Sequence, residues 1–261
     1  MASVAGLSQR RAAFVARLRL PKSRAREATV LVEGVRSVSE ALEGGVKVSF
    51  AVRSPKLETT EPGRALARRL EALDVAQVDD GELARLSDTE RHQGVLLICE
   101  EPTAGLDRLV SGGRYLVLDR VQDPGNAGTL IRAAVAFGLD AVVCLDGTVD
   151  PWGAKTVRSS AGMVFRLAVV RADAADAIAR LEELRVPILV ADAAGKNVDE
   201  RRFDRGFALV VGNEGGGVRT EITQASEALV AVGMPGPAES LNVAMAGAIL
   251  LHALTREAAS D

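Results

Sequence analysis

Aromatic side chains are scarce in this chain, making up 3% of its 261 residues. That scarcity argues against a recognition platform of exposed rings. Cysteine occurs twice, at Cys99 and Cys144, and histidine twice, at His92 and His252. Without Cys-x-x-Cys spacing, neither a disulfide framework nor a structural zinc site is expected, and the cysteines read as two buried thiols. Two separated histidines do not supply a metal site, so no metal is expected. Residues such as Asp140 and Asn242 break the longest apolar segments short of membrane length. No charged-then-apolar leader with a cleavage signal opens the chain, so the expected location is the cytoplasm, with no membrane partner. Gly-x-Gly-x-x-Gly opening a helix, Gly-x-x-x-x-Gly-Lys-Ser/Thr and Gly-x-Ser-x-Gly are all missing. Dinucleotide, nucleoside-triphosphate and serine-hydrolase chemistry therefore lose their usual support.

What is present is ample apolar material, 48% of the chain, enough for two domains with cores of their own. The net charge of −3 conceals an asymmetry. Arg10, Arg11, Arg17, Arg19, Lys22, Arg24 and Arg26 face Glu27 alone within the first 30 residues, a net +6 that leaves −9 for the remainder. A basic segment on an otherwise acidic protein suits a polyanionic partner such as a nucleic acid, whose phosphates arginine and lysine contact. The competing reading is a solvated helix face, with Phe14, Val15, Leu18 and Leu20 lining the opposite stripe of a helix over 8–20.

From Thr29 to Glu100 the pattern predicts a small α/β domain. Its strands fall at Thr29–Glu33, Val46–Val52 and Gly94–Cys99, and its helices at Val35–Leu42, Gly63–Leu73 and Asp79–Leu86. Breaker-rich residues at Glu100–Gly105 and Ser111–Gly113 bracket a linker. A sustained strand–helix alternation follows. Strands are predicted at Tyr115–Leu118, Ala141–Leu145, Val164–Val170, Pro187–Ala191, Phe207–Val211 and Ala228–Val232. Helices are predicted near Ala127–Phe137, Ala172–Leu184, Thr220–Ala225 and Leu241–Leu254, with Gly138 as a left-handed cap. Doubly buried runs separated by helices imply a mostly parallel sheet.

Three constellations lie where such a sheet binds ligands. Phe207–Val211 runs into Gly212-Asn213-Glu214-Gly215-Gly216-Gly217, a turn where missing Cβ atoms allow close backbone approach. Leu229–Val232 runs into Gly233-Met234-Pro235-Gly236-Pro237, and Ser240-Leu241-Asn242 precedes a small-residue helix that Ser240 can cap. After Tyr115–Leu118 come Asp119-Arg120-Val121-Gln122-Asp123-Pro124-Gly125-Asn126. Here Asn126 can cap a helix, and Arg132, within two turns, can meet a phosphate at the helix N-terminus. Each has a plainer reading: a solvated turn, a capped core helix, an arginine paired with a surface carboxylate.

In order and spacing the three resemble motifs of the SpoU (TrmH-type) RNA ribose 2′-O-methyltransferases. Asn126-Ala127-Gly128-Thr129-Leu130-Ile131-Arg132 resembles the first, Gly212-Asn213-Glu214-Gly215 the second and Pro235–Val243 the third. Arg158-Ser159-Ser160-Ala161-Gly162 is a similar segment between them. Pro237 departs from the pattern by stiffening its loop. The resemblance implies a catalytic domain over 112–261 with a deep trefoil knot, and a homodimer using S-adenosylmethionine. It also implies catalytic roles for Arg132, Asn126, Glu214, Ser240 and Asn242, and cofactor contacts from Gly212, Val232, Leu241, Met234 and Ala191. Residues 1–105, with Leu31-Val32-Glu33-Gly34 and Arg36, more weakly resemble an L30e-like RNA-binding domain, and together with the basic segment this gives expected RNA contacts from Arg10, Arg11, Arg17, Arg19 and Arg36. 23S ribosomal RNA is the expected substrate, with transfer RNA or a non-catalytic RNA-binding role as alternatives.

Overall fold

The computed structural model describes residues 6–200, 206–237 and 240–256, so Ala238 and Glu239 of the third motif and both chain ends lie outside the described residues. Strands in chain order are β1 (Thr29–Glu33), β2 (Val48–Arg53), β3 (Val75–Gln77), β4 (Val95–Glu100), β5 (Arg114–Leu118), β6 (Ala141–Leu145), β7 (Ala168–Ala172), β8 (Ile188–Asn197), β9 (Phe207–Val211) and β10 (Ala228–Ala231). Helices are α1 (Gln9–Leu18), α2 (Pro21–Glu27), α3 (Val35–Glu43), α4 (Glu61–Leu70), α5 (Asp80–Leu86), α6 (Pro124–Ala136), α7 (Ala154–Ser159), α8 (Ala174–Glu183), α9 (Thr220–Ala225) and α10 (Val243–Thr255). Among the described residues, no helix is long and apolar enough to cross a membrane.

Two compact units result. The first comprises Met1–Pro102 with Trp152–Arg166, the second Thr103–Pro151 with Leu167–Asp261. In the first, β1-β4-β2-β3 form a sheet with antiparallel β1–β4 and β2–β4 pairs and a parallel β2–β3 pair. Val15 and Leu18 of α1 pack on Leu31, Phe50, Val52 and Ile98, with Phe14 partly buried beside them. Leu20 does not join this stripe; it lies beyond α1, as the residue before Pro21, and is 60% exposed. The segment Trp152–Arg166, inside the stretch expected to form one domain, belongs to this first unit. Its Trp152 and Phe165 rings lie 5.4 Å apart, both buried. The strand expected over 164–170 accordingly begins only at Ala168, and Met163–Phe165 is a 3-10 turn.

The second unit is a six-stranded sheet, β10-β8-β9-β5-β6-β7, in which every pair is parallel. β6 and β9 are buried along their whole length because helices cover both faces. Chain order reverses between β5 and β9, so their carboxyl ends open onto the switch point where parallel sheets bind ligands. Gly138 closes α6 with φ of +68°, the left-handed cap expected of it.

Both cysteines are free and buried, and burial pushes each thiol up to about 12. The histidines serve packing. His92 Nδ1 accepts the Gly94 amide at 3.3 Å, and His252 lies 5.5 Å from the Phe137 ring.

Candidate active site

Two loops at the switch point are fixed by the chain's own polar groups. After β9, Asn213 folds its turn by accepting the Gly215 and Gly216 amides at 2.9 and 3.2 Å, while its Nδ2 donates to the Arg120 carbonyl at 3.1 Å. A Cβ on Gly212 would strike the backbone of Gly217 and Val218. The glycine is therefore required for the loop to close on itself.

Behind this loop sits an ion pair that the sequence pattern did not signal. Asp119, fully buried, accepts the Arg219 backbone amide at 2.7 Å and the Arg219 Nε at 2.8 Å. The Arg219 guanidinium, 14% exposed, also donates to the Asp146 carboxylate at 3.1 Å and carbonyl at 2.9 Å. Burial alone would lower the Arg219 pKa, but the two carboxylates more than reverse this and raise it. The pair ties the start of α9 to the end of β5. Next to it, Arg120 takes the left-handed conformation, φ +58°, uncommon for a residue with a side chain.

Both helix caps fall elsewhere than expected. Asp123, not Asn126, caps α6, accepting the Asn126 amide at 2.9 Å. Asn242, not Ser240, caps α10, accepting the Ala244 and Met245 amides at 2.9 and 3.3 Å. Freed from capping, the Asn126 side chain donates to Glu214 and accepts from Asn242 Nδ2 at 3.1 Å. Glu214, Asn126 and Asn242 thus form one hydrogen-bonded chain drawn from three segments distant in sequence.

Glu214, Asn242 and Ser240 also line a cavity of about 540 Å3. Its apolar wall comes from Val211, Val230, Val232, Met234, Leu241 and Leu250, and Ala191 and Gly212 complete it. All five residues expected to hold a cofactor line this one cavity. Asp192 and Asn213, not singled out from the sequence, line it too. Residues 232–235 have left the sheet, so their backbone groups are not engaged in its ladder. Arg132 is exposed on α6 and is not part of the lining.

The basic segment divides. Arg11 forms a bidentate pair with Asp74 and stacks 4.6 Å from the Phe50 ring centroid, and Arg19 donates to the Arg85 and Ser87 carbonyls. Those two guanidiniums brace the protein itself. Arg10, Arg17 and Arg36 are exposed.

The chain matches the SpoU rRNA Methylase family over residues 113–252 and the MRM3-like substrate binding domain over residues 12–97. It is 36% identical to the 23S rRNA (guanosine(2553)-2′-O)-methyltransferase RlmP of Bacillus subtilis, covering 91% of this chain and 93% of the relative. The AdoMet-bound rRNA methyltransferase of Sinorhizobium meliloti superimposes with a TM-score of 0.83 at 29% identity, covering 96% and 95% of the two chains. The SpoU methyltransferase AviRb of Streptomyces viridochromogenes, in complex with AdoMet, gives 0.82 at 27% identity, covering 95% and 97%.

Proposed function

The chain belongs to the SpoU rRNA methylase family, and on that basis we propose that it transfers a methyl group from S-adenosylmethionine to a ribose 2′-hydroxyl of 23S ribosomal RNA. One observation carries the reading: Glu214, Asn126 and Asn242 are joined by hydrogen bonds at the apolar cavity. The cavity suits the cofactor. Its volume lies within the range of ligand sites, its apolar side chains match an adenine face, and the free backbone of 232–235 can read the ring edge. Ala191, Gly212, Val232, Met234 and Leu241 would hold it. When bound there, S-adenosylmethionine supplies a methyl group already activated on a sulfonium centre.

The remaining work falls to the chain's own residues: aligning the ribose oxygen and making a weakly acidic hydroxyl nucleophilic. Glu214, through its bond to Asn126, fixes that amide so that the asparagine and Ser240 can orient the ribose. Arg132, whose guanidinium is too weak an acid to serve as a base, binds the nucleotide phosphate and lowers the hydroxyl pKa. The 2′-hydroxyl itself distinguishes RNA from DNA.

The same reading gives the second unit a deep trefoil knot at its C-terminal end and the first unit an L30e-like role in holding RNA. It also makes the protein a cytoplasmic homodimer. Support for pairing comes from α10, which exposes Met245 by 56% and Ile249 by 41%, one turn apart. Met245→Glu with Ile249→Glu is expected to convert a dimer into a monomer in light scattering after size exclusion. A wild-type monomer at micromolar concentration would remove this assignment.

The reaction is tested by incubating the protein with methyl-labelled S-adenosylmethionine and unmodified ribosomal RNA or transfer RNA, then mapping alkali-resistant linkages. One labelled ribose in 23S RNA is expected. Label confined to transfer RNA would replace the substrate, and no label on any RNA despite cofactor binding would favour a non-catalytic RNA-binding protein.

A further inference from the structure

A second cavity, of about 270 Å3 and lined only by residues of the first unit, is left unused by this reaction. The buried Glu33, at the end of β1, anchors it. Its carboxylate accepts from Ser87 Oγ, Thr89 Oγ1 and, at 3.2 Å, the Asp88 amide. Those bonds commit Glu33 to the protein and leave it little capacity to attract a cation.

The rest of the lining is strongly basic. Arg36, Arg91 and Arg158 stand against that single carboxylate. Arg158 lies 3.7 Å from Glu33 and 3.3 Å from Asp88, and its buried Nη1 has no hydrogen-bond partner. Arg36 and Arg91 are exposed and, among the described residues, make no ion pair or hydrogen bond. α3 starts here after Gly34, which brings no capping side chain of its own. Gln93 Oε1 accepts the Val35 amide at 2.7 Å, and the next turn of amides adds a positive helix end. Free guanidiniums, an unsatisfied buried N–H and a helix start with only its first amide accepted by Gln93 call for a tetrahedral anion with several acceptor oxygens. The volume admits a phosphate with part of its sugar and excludes an extended cofactor.

We propose that this cavity receives a phosphodiester group of the RNA substrate, with Arg36 and Arg91 reaching its oxygens and Arg158, steadied by Glu33 and Asp88, forming the inner wall. The assignment rests on RNA being the substrate and adds a defined anchoring point in the first unit. Sequence reading separated Arg36 from its partners because Arg91 and Arg158 are 55 and 122 positions further along the chain.

The test is equilibrium binding of 23S RNA to the full-length protein carrying Arg36→Gln and Arg91→Gln, compared with a control carrying Arg64→Gln and Arg68→Gln on the exposed face of α4. The cavity variant should weaken binding about tenfold near 0.15 M salt and reduce the log–log salt slope by about one, the signature of one lost phosphate contact. The control should stay within about twofold of wild type. Wild-type affinity and slope in the cavity variant would overturn the proposal. So would an equal loss in the control, which would make the effect one of net charge. Inorganic phosphate separates the sources: tight phosphate binding that the cavity variant loses, with RNA binding intact, would assign the cavity to a small anion instead. Methyl transfer by the wild-type protein is measured alongside. Its absence would sink the reaction proposed above while leaving the binding comparison a valid test of the cavity.

Discussion

Replacing Arg132 with alanine is expected to lower the turnover number for RNA methylation by at least about a hundredfold, the usual loss when a preorganised charge aimed at the reacting group is removed. Affinity for S-adenosylmethionine should stay within about twofold, because Arg132 is not part of the cavity that would hold it. Thermal stability should not change measurably, since the side chain is exposed and carries no ion pair or hydrogen bond among the described residues. Lysine should rescue only part of the rate. An ammonium restores the charge without the planar fork that grips two phosphate oxygens. Isothermal titration and single-turnover kinetics separate these effects, and equal losses of cofactor affinity and rate would show that Arg132 acts on the cavity rather than on the nucleotide.

The second large effect lies beneath the site. Asp119→Ala should destabilise the protein by about 3–5 kcal/mol, because it leaves the largely buried Arg219 guanidinium without its main partner. In a chain of this size that corresponds to a fall in melting temperature of roughly 10 °C. Replacing both partners, as Asp119→Leu with Arg219→Met, should recover part of that stability, since a buried pair exchanged for apolar groups is often neutral but the Arg219 amide still loses its acceptor. Methyl transfer should not recover with it. Asp119 also accepts the Arg219 backbone amide and so fixes the end of the loop that carries Glu214. A double variant that regained stability and activity together would reduce the pair to a purely structural role.

How much of this was legible beforehand depended on whether the deciding interactions were local. β1, β6, β9 and α9 lie where the residue pattern placed them, because an unbroken apolar run or a short periodic one suffices. β3 has three residues and α2 and α7 have few apolar positions, so nothing in their composition rose above the background. The caps failed for a different reason. Asp123 and Asn126 are both good capping residues three positions apart, and their order was decided by Glu214 and Asn242, neither of them near in sequence. Arg11 and Arg19 read as free cations until Asp74 and two carbonyls of the α5 region engaged them. The residues expected around the cofactor were assigned by position relative to the family motifs. Apolar periodicity alone could not tell a cavity wall from a filled core.

Because Trp152–Arg166 belongs with the first 102 residues, that unit cannot be completed until about residue 166 has emerged from the ribosome. At 5–20 residues per second the wait is roughly 3–13 s, during which the start of α3 lacks the turn at Gly162 that fits against Ser37. The amino-terminal half is therefore an unfinished nascent chain, completed by a clip synthesised between two strands of its neighbour. A fragment cut at the apparent linker would be born without that clip, and without Arg158 in its basic cavity.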